Sequence, residues 1–62
     1  MQIEYYRDRR DEWRWRLKSA NGAIRADSAE GYASLANVKH AASDMIAEIR
    51  ERDSVITEII VP

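Results

Sequence analysis

The chain has 62 residues, no cysteine and a single histidine, so a disulfide is excluded and the histidine cannot by itself complete a structural zinc site. A domain of this length buries only about 60% of the surface of its unfolded chain, which makes its core marginal. The remaining sources of stability are unusually good packing and oligomerisation, and we therefore expect a homodimer.

Charge is unevenly distributed along the chain. Residues 1–25 contain seven lysines and arginines and four acidic residues. Residues 26–62 contain three lysines and arginines and seven acidic residues. This asymmetry is compatible with a basic binding face and equally with attraction between the halves of a dimer. The first ten residues lack the apolar core of a signal peptide, and no apolar run approaches the ~20 residues of a membrane helix. We therefore expect a cytoplasmic protein without membrane association, which the lack of cysteine fits.

The first predicted element is a strand over residues 1–7, in which Ile3 and Tyr5 alternate with more polar neighbours. A polar turn follows it. Ile3 and Tyr5 share a face with the odd-numbered residues of the next strand if the intervening loop has three or five residues, with or without a bulge. We predict an odd-numbered loop.

The dipeptide Asn21-Gly22 predicts a β-hairpin with a two-residue type I′ loop, because both central residues of that turn require positive φ. With this loop, Leu17 lies opposite Ala26. The apolar face of the hairpin then consists of Trp13, Trp15, Leu17, Ser19, Ile24, Ala26 and Ser28. We interpret this face as the core side, because aromatic residues dominate burial in small domains. A ligand-stacking platform formed by the two tryptophans is the less favoured alternative.

A helix is predicted over residues 34–50, with Ser34 as its N-cap. Its apolar residues recur at the spacing of one helical stripe, which consists of Leu35, Val38, Ala42, Met45, Ile46 and Ile49. A helix of this length spans about 25 Å, enough to lie across a small sheet.

Residues 53 and 54 interrupt the helical pattern, and residues 55–61 predict a last strand that is largely apolar on both faces. Such a strand needs a backbone partner and a cover for its second face, since an exposed apolar edge promotes aggregation. A second copy of the chain supplies both, and exchange of this strand between subunits is one arrangement that does so. The expected fold is α+β: a three-stranded antiparallel meander, one long helix on its apolar face and a C-terminal strand, completed in a homodimer.

A combination of motifs resembles a known family. The motifs are Arg14-Trp15-Arg16-Leu17-Lys18, Asn21-Gly22, Ile24 and, at the start of the helix, Tyr32-Ala33-Ser34. Over residues 3–49 they resemble the YegP-like family of small uncharacterised bacterial and archaeal proteins. The resemblance implies a module with a β-β-β-α core, which occurs in tandem in some members and singly in others, where two chains associate. Residues 1–62 are interpreted as a single module of this kind, and the resemblance implies no known activity.

The second face of the hairpin carries the candidate binding residues, which are Arg14, Arg16, Lys18 and Arg25. Cations that alternate along paired strands can follow a phosphate backbone, so this face is a candidate nucleic-acid or polyanion site. The alternative, which we favour, is a solvated face whose charges protect the sheet from aggregation. An ion pair between Arg16 and Asp27, which lie opposite each other, fits that alternative. No aromatic residues are expected on the face of the cations, although single-strand binders normally use them.

Residues suited to catalysis or metal binding are sparse. His40 has neither a triad partner nor a second metal ligand at a suitable spacing, and we interpret it as a surface or interface residue of the helix. We therefore expect no catalytic, cofactor or metal site. The expected function is that of a small dimeric, non-catalytic interaction or accessory module. The alternative is a weak nucleic-acid or polyanion binder that uses the four cations of the hairpin.

Overall fold

The computed structural model describes residues 1–52 and 55–62, and within these residues one helix covers one face of a four-stranded sheet. The strands are β1 (Gln2–Arg7), β2 (Trp13–Lys18), β3 (Ile24–Asp27) and β4 (Thr57–Ile60), and the helix is α1 (Leu35–Arg52). The order of the strands is β3-β2-β1-β4. The predicted α+β class and antiparallel meander are confirmed. Because β4 runs parallel to β1, the complete sheet is mixed.

In the hairpin of β1 and β2, odd-numbered residues of one strand lie opposite odd-numbered residues of the other, as predicted. Ile3 lies opposite Leu17, and the pairing ends at Arg7. The loop between the strands therefore consists of residues 8–12, an odd number, as predicted. Since side chains alternate along a strand, this register turns the apolar odd-numbered residues of both strands toward α1.

The loop between β2 and β3 has three residues, so the predicted two-residue type I′ loop is wrong. The amide of Gly22 donates to the carbonyl of Ser19 at 2.9 Å, and the amide of Ser19 donates to the carbonyl of Ala23 at 2.9 Å. Gly22 adopts a φ of +88°, whereas the φ of Asn21 is not positive. This combination is typical of a type I turn that is closed by a glycine with positive φ.

The longer loop moves one apolar residue out of the core. Ile24 pairs with Lys18, and Arg25 becomes the extra residue of a β-bulge. The loop and the bulge each shift the register by one residue, so their effects cancel and Leu17 lies opposite Ala26 as predicted. Ile24 is 58% exposed, and the prediction that it lies on the apolar face is wrong.

The helix and its apolar stripe follow the prediction. The hydroxyl of Ser34 accepts a hydrogen bond from the amide of Asn37 at 3.1 Å, which confirms the N-cap. The helix continues to Arg52, two residues beyond the predicted end. The buried core combines three residues of the sheet with three of the stripe: Ile3, Tyr5, Leu17, Val38, Ala42 and Ile46.

The two tryptophans lie at the margin of this core. Trp13 and Trp15 pack against it and are half-buried. Ile3 and Tyr5, by contrast, have no exposed surface. The interpretation of the tryptophans as core residues is therefore confirmed only in part, and Tyr5 is the largest fully buried side chain among the described residues.

The last strand lies beside β1 of the same chain. The amide of Val61 donates to the carbonyl of Tyr5 at 2.8 Å, and the hydroxyl of Tyr5 donates to the carboxylate of Glu58 at 2.7 Å. Burial, and then this hydrogen bond to Glu58, raise the pKa of Tyr5. β1 thus serves as the backbone partner of β4, and the sheet requires no strand exchange. The predicted break at residues 53 and 54 lies outside the described residues.

Candidate binding surface

The face of the sheet that points away from α1, here called the open face, collects charged side chains of β1 and β2. Because side chains alternate, the strand neighbours of the buried Ile3, Tyr5 and Leu17 point to this face. The open face therefore carries Glu4, Tyr6, Arg14, Arg16 and Lys18. Three of the four predicted cations are brought together there, with a carboxylate beside them.

Glu4 forms ion pairs with two of these cations. Its carboxylate accepts hydrogen bonds from Arg16 Nε at 2.6 Å and from Gln2 Nε2 at 2.7 Å, and Lys18 Nζ lies 3.4 Å away. Glu4 is only 7% exposed, so water screens these contacts weakly. The hydrogen bond from Arg16 lowers the pKa of Glu4, and burial opposes this effect.

Asp8 pairs with the third cation and also shapes the loop between β1 and β2. Its carboxylate accepts a hydrogen bond from Arg14 Nε at 2.6 Å. It also accepts hydrogen bonds from the backbone amides of Arg10 at 2.8 Å and Glu12 at 3.0 Å. The hydrogen bond from Arg14 lowers the pKa of Asp8 and raises the pKa of Arg14 itself. Arg14 is therefore tied to the loop.

Three details differ from the expected site. Arg16 lies opposite Asp27, yet its ion pair is with Glu4 on the other neighbouring strand. Arg25 is exposed on the bulge and forms no ion pair with any residue that the structure describes. An aromatic ring does share the face of the cations, because the guanidinium of Arg16 stacks over Tyr6 with its Cζ 4.5 Å from the ring centroid.

A cleft of about 490 Å³, here called the end cleft, adjoins the open face where β1 and β4 end and β2 begins. Tyr6 and Trp13 supply its aromatic lining, Arg7 and Arg16 supply its charge, and residues 60–62 supply an apolar wall. The end cleft therefore combines an apolar surface with two cations.

The other residues and features considered from the sequence lie outside the open face and the end cleft. His40 is exposed on α1, as predicted. Among residues 1–52 and 55–62, no group of three or more side chains has the arrangement of a metal site. No helix in the described part of the chain is both long enough and apolar enough to cross a membrane.

The sequence interpretation overlooked the role of Glu4 and the end cleft. Glu4 was within reach of sequence reasoning, since a loop of residues 8–12 places it opposite Arg16. The end cleft was not, because it depends on the pairing of β4 with β1, whose residues are more than fifty positions apart.

The two paired carboxylates predict a loss of stability in acid. The pKa of Glu4 lies below its ordinary value of 4.5 and that of Asp8 below 3.8. A carboxyl group whose pKa is lowered by folding stabilises the folded state above its ordinary pKa and loses this contribution as the pH falls through the folded value. We expect urea unfolding, followed by tryptophan fluorescence, to give a free energy of unfolding that declines as the pH falls below about 4.5.

A matched pair of variants isolates Glu4 in this measurement. Glu4→Gln removes a buried carboxylate, whereas Glu30→Gln removes an exposed carboxylate. The decline in acid should be shallower for Glu4→Gln than for Glu30→Gln. Equal slopes for the two variants would contradict the role assigned to Glu4.

These features define a small α+β domain with a helix on one face of a mixed sheet and ion pairs across the other. Residues 8–52 match the family model described as "Domain of unknown function (DUF1508)", and the chain belongs to this family. This confirms the resemblance to the YegP-like family, which is the same family.

Two curated relatives from Neisseria meningitidis show the same relationship. The chain is 51% identical over 41 residues to "UPF0339 protein NMB1088" of serogroup B (strain MC58) and to "UPF0339 protein NMA1193/NMA1859" of serogroup A (strain Z2491). In each case the alignment covers 66% of this chain and 71% of the relative. No solved structure matches the chain.

Proposed function

We propose that this domain acts by association, as a homodimeric and non-catalytic interaction module of the cytoplasm. The observation that carries the proposal is the exposed apolar edge strand β4. All four of its residues are exposed, and Ile59 and Ile60 are exposed by 36% and 49%. Apolar edge strands are templates for pairing with another chain, and natural proteins usually protect them.

The outer edge of β4 offers backbone groups for such pairing. The amides of Thr57 and Val61 donate to carbonyl groups of the β1 segment at 3.0 Å and 2.8 Å. Because amide directions alternate along a strand, the amides of Glu58 and Ile60 point away from β1. Antiparallel pairing with β4 of a second copy would use these amides and join two sheets about a two-fold axis.

The opposite edge of the sheet is a weaker candidate for self-association. Ile24 of β3 is 58% exposed, but Arg25 and Asp27 follow it on the same short strand. Charged residues of this kind protect natural sheet edges from pairing. The two edges therefore differ in a way that an experiment can use.

We expect sedimentation at micromolar concentration to give a mass near twice that of the chain, and we expect Ile59→Lys to give a monomer. Ile59 lies opposite Glu4, so a lysine at this position is compatible with the folded sheet while it charges the edge. The matched control is Ile24→Lys, which charges an exposed isoleucine of the other edge strand. This control should remain dimeric, and circular dichroism checks that both variants are folded.

A second variant tests the backbone pairing directly. Ile60→Pro removes an outward-pointing amide but no hydrogen bond to β1, so it should also give a monomer. A folded wild-type monomer at high protein concentration would contradict the proposal. So would dissociation of the dimer by Ile24→Lys and not by Ile59→Lys.

The alternative function, weak binding of nucleic acid or another polyanion, has less support. Arg14, Arg16 and Lys18 each lie in an ion pair with Asp8 or Glu4. A polyanion would have to displace these carboxylates, which offsets part of the gain from counterion release. Arg25 alone of the four cations lacks such a pair among the described residues. The described contacts therefore favour the interaction module.

A further inference from the structure

The end cleft has the dimensions of a small-molecule site. Its volume is about 490 Å³, within the range of about 300–1,000 Å³ that ligand pockets occupy. It is formed within one chain at the end of the sheet, and its lining includes Tyr6, Arg16 and residues 60–62. Its existence therefore does not depend on the dimer proposed above.

Each arginine of the end cleft is positioned by an aromatic ring. The Cζ atom of Arg7 lies 5.1 Å from the ring centroid of Trp13, and that of Arg16 lies 4.5 Å from the centroid of Tyr6. Stacking over a ring occupies one face of the guanidinium and leaves its N–H groups, which lie in the plane, able to donate.

Neither arginine is fully satisfied by its carboxylate partner. Arg16 donates from Nε to Glu4 at 2.6 Å, and its two terminal nitrogens form no hydrogen bond with the residues that the structure describes. Arg7 donates to Asp11 at 3.1 Å in an exposed pair with side chains 58% and 77% accessible. Exposed pairs of this kind contribute little and yield readily to a competing anion.

The rest of the cleft selects against a highly polar ligand. Ile60 is 49% exposed, and Val61 and Pro62 extend the apolar wall. Among the residues that the structure describes, no aspartate or glutamate side chain lines the cleft. We propose that the end cleft binds a small organic anion with a flat aromatic body, whose ring lies between the aromatic side chains and residues 60–62 and whose anionic group accepts hydrogen bonds from Arg7 and Arg16.

The test is a titration of the ¹⁵N-labelled wild-type protein with 2-naphthoate, followed by amide and indole signals. We expect saturable shifts of the Trp13 indole and of the amides of Ile60 and Val61. The Trp15 indole, which does not line the cleft, serves as an internal control and should move far less. The neutral analogue 2-naphthylmethanol should bind at least several-fold more weakly, because it lacks the charge that the arginines recognise.

Matched variants separate binding in the cleft from general attraction of the anion to any exposed arginine. Arg7→Gln should weaken binding of 2-naphthoate roughly tenfold, the equivalent of one charge-assisted hydrogen bond. Arg25→Gln removes an exposed arginine on β3 and should leave the affinity unchanged. The proposal is overturned if the wild-type signals do not saturate, if the neutral analogue binds equally well, or if the two variants lose affinity to the same extent.

Discussion

The variant Ile3→Ala is expected to lose about 2–5 kcal/mol of unfolding free energy, the range for truncation of a buried isoleucine. Ile3 has no exposed surface and lies in the core with Val38, Ala42 and Ile46 of the helix. A single core in a domain of this size rarely supplies more than about 3–5 kcal/mol, so a large part of the variant population should be unfolded. Urea unfolding followed by tryptophan fluorescence measures the loss.

The matched control for this variant is Ile24→Ala. It makes the same chemical change at a residue that is 58% exposed, and the predicted effect lies within about 0.5 kcal/mol of zero. A loss at Ile24 equal to that at Ile3 would mean that Ile24 is covered in the native protein. In that event β3, and not β4, would be the edge used for association.

The variant Glu4→Gln should lower the free energy of unfolding by about 2 kcal/mol, a value typical of a hydrogen bond to a charged group. The change leaves Arg16 and Lys18 without the anion that both contact. The side chains of Arg16 and Lys18 are 30% and 28% exposed, so water recovers part of the loss and keeps it below that for a fully buried pair. Glu48→Gln, at an exposed position of α1, is the control and should be neutral.

The same variant tests the alternative function of the open face. We expect no salt-sensitive shift of labelled single-stranded RNA with the wild-type protein, because Arg14, Arg16 and Lys18 are engaged in ion pairs with Asp8 and Glu4. Glu4→Gln should produce a shift at low salt that disappears as salt is added. A shift by the wild type that is abolished by Arg14→Glu with Arg16→Glu would instead favour polyanion binding as the native function.

Local features of the sequence predicted the elements well for a physical reason. The alternation in β1 and β2, the stripe of α1 and the cap at Ser34 each depend on residues within a few positions of one another. The odd-numbered loop, predicted because Ile3 and Tyr5 must share a face with Leu17, is also confirmed by the loop of residues 8–12.

The turn at Asn21-Gly22 shows where local reasoning failed. The dipeptide is compatible with a two-residue loop, but the structure uses three residues and places only Gly22 of the pair at positive φ. The compensating bulge at Arg25 keeps Leu17 opposite Ala26, so the core face is preserved at the cost of exposing Ile24. In the observed loop the amide of Ala23 donates to Oδ1 of Asn21 at 3.2 Å, so Asn21 contributes through its side chain and not through a positive φ.

The amino-acid sequence by itself determined the order and type of the elements, the inward face of β1, β2 and α1, and membership of an uncharacterised family. Only the tertiary structure decided that β4 lies parallel to β1, that Glu4 holds Arg16 and Lys18, and that a cleft forms beside Tyr6. The two groups of features differ in the sequence separation of the residues that produce them. Periodicity and capping depend on residues that are close in the sequence. The tertiary contacts join residues that are distant in the sequence and form only when the strands pair in the folded sheet.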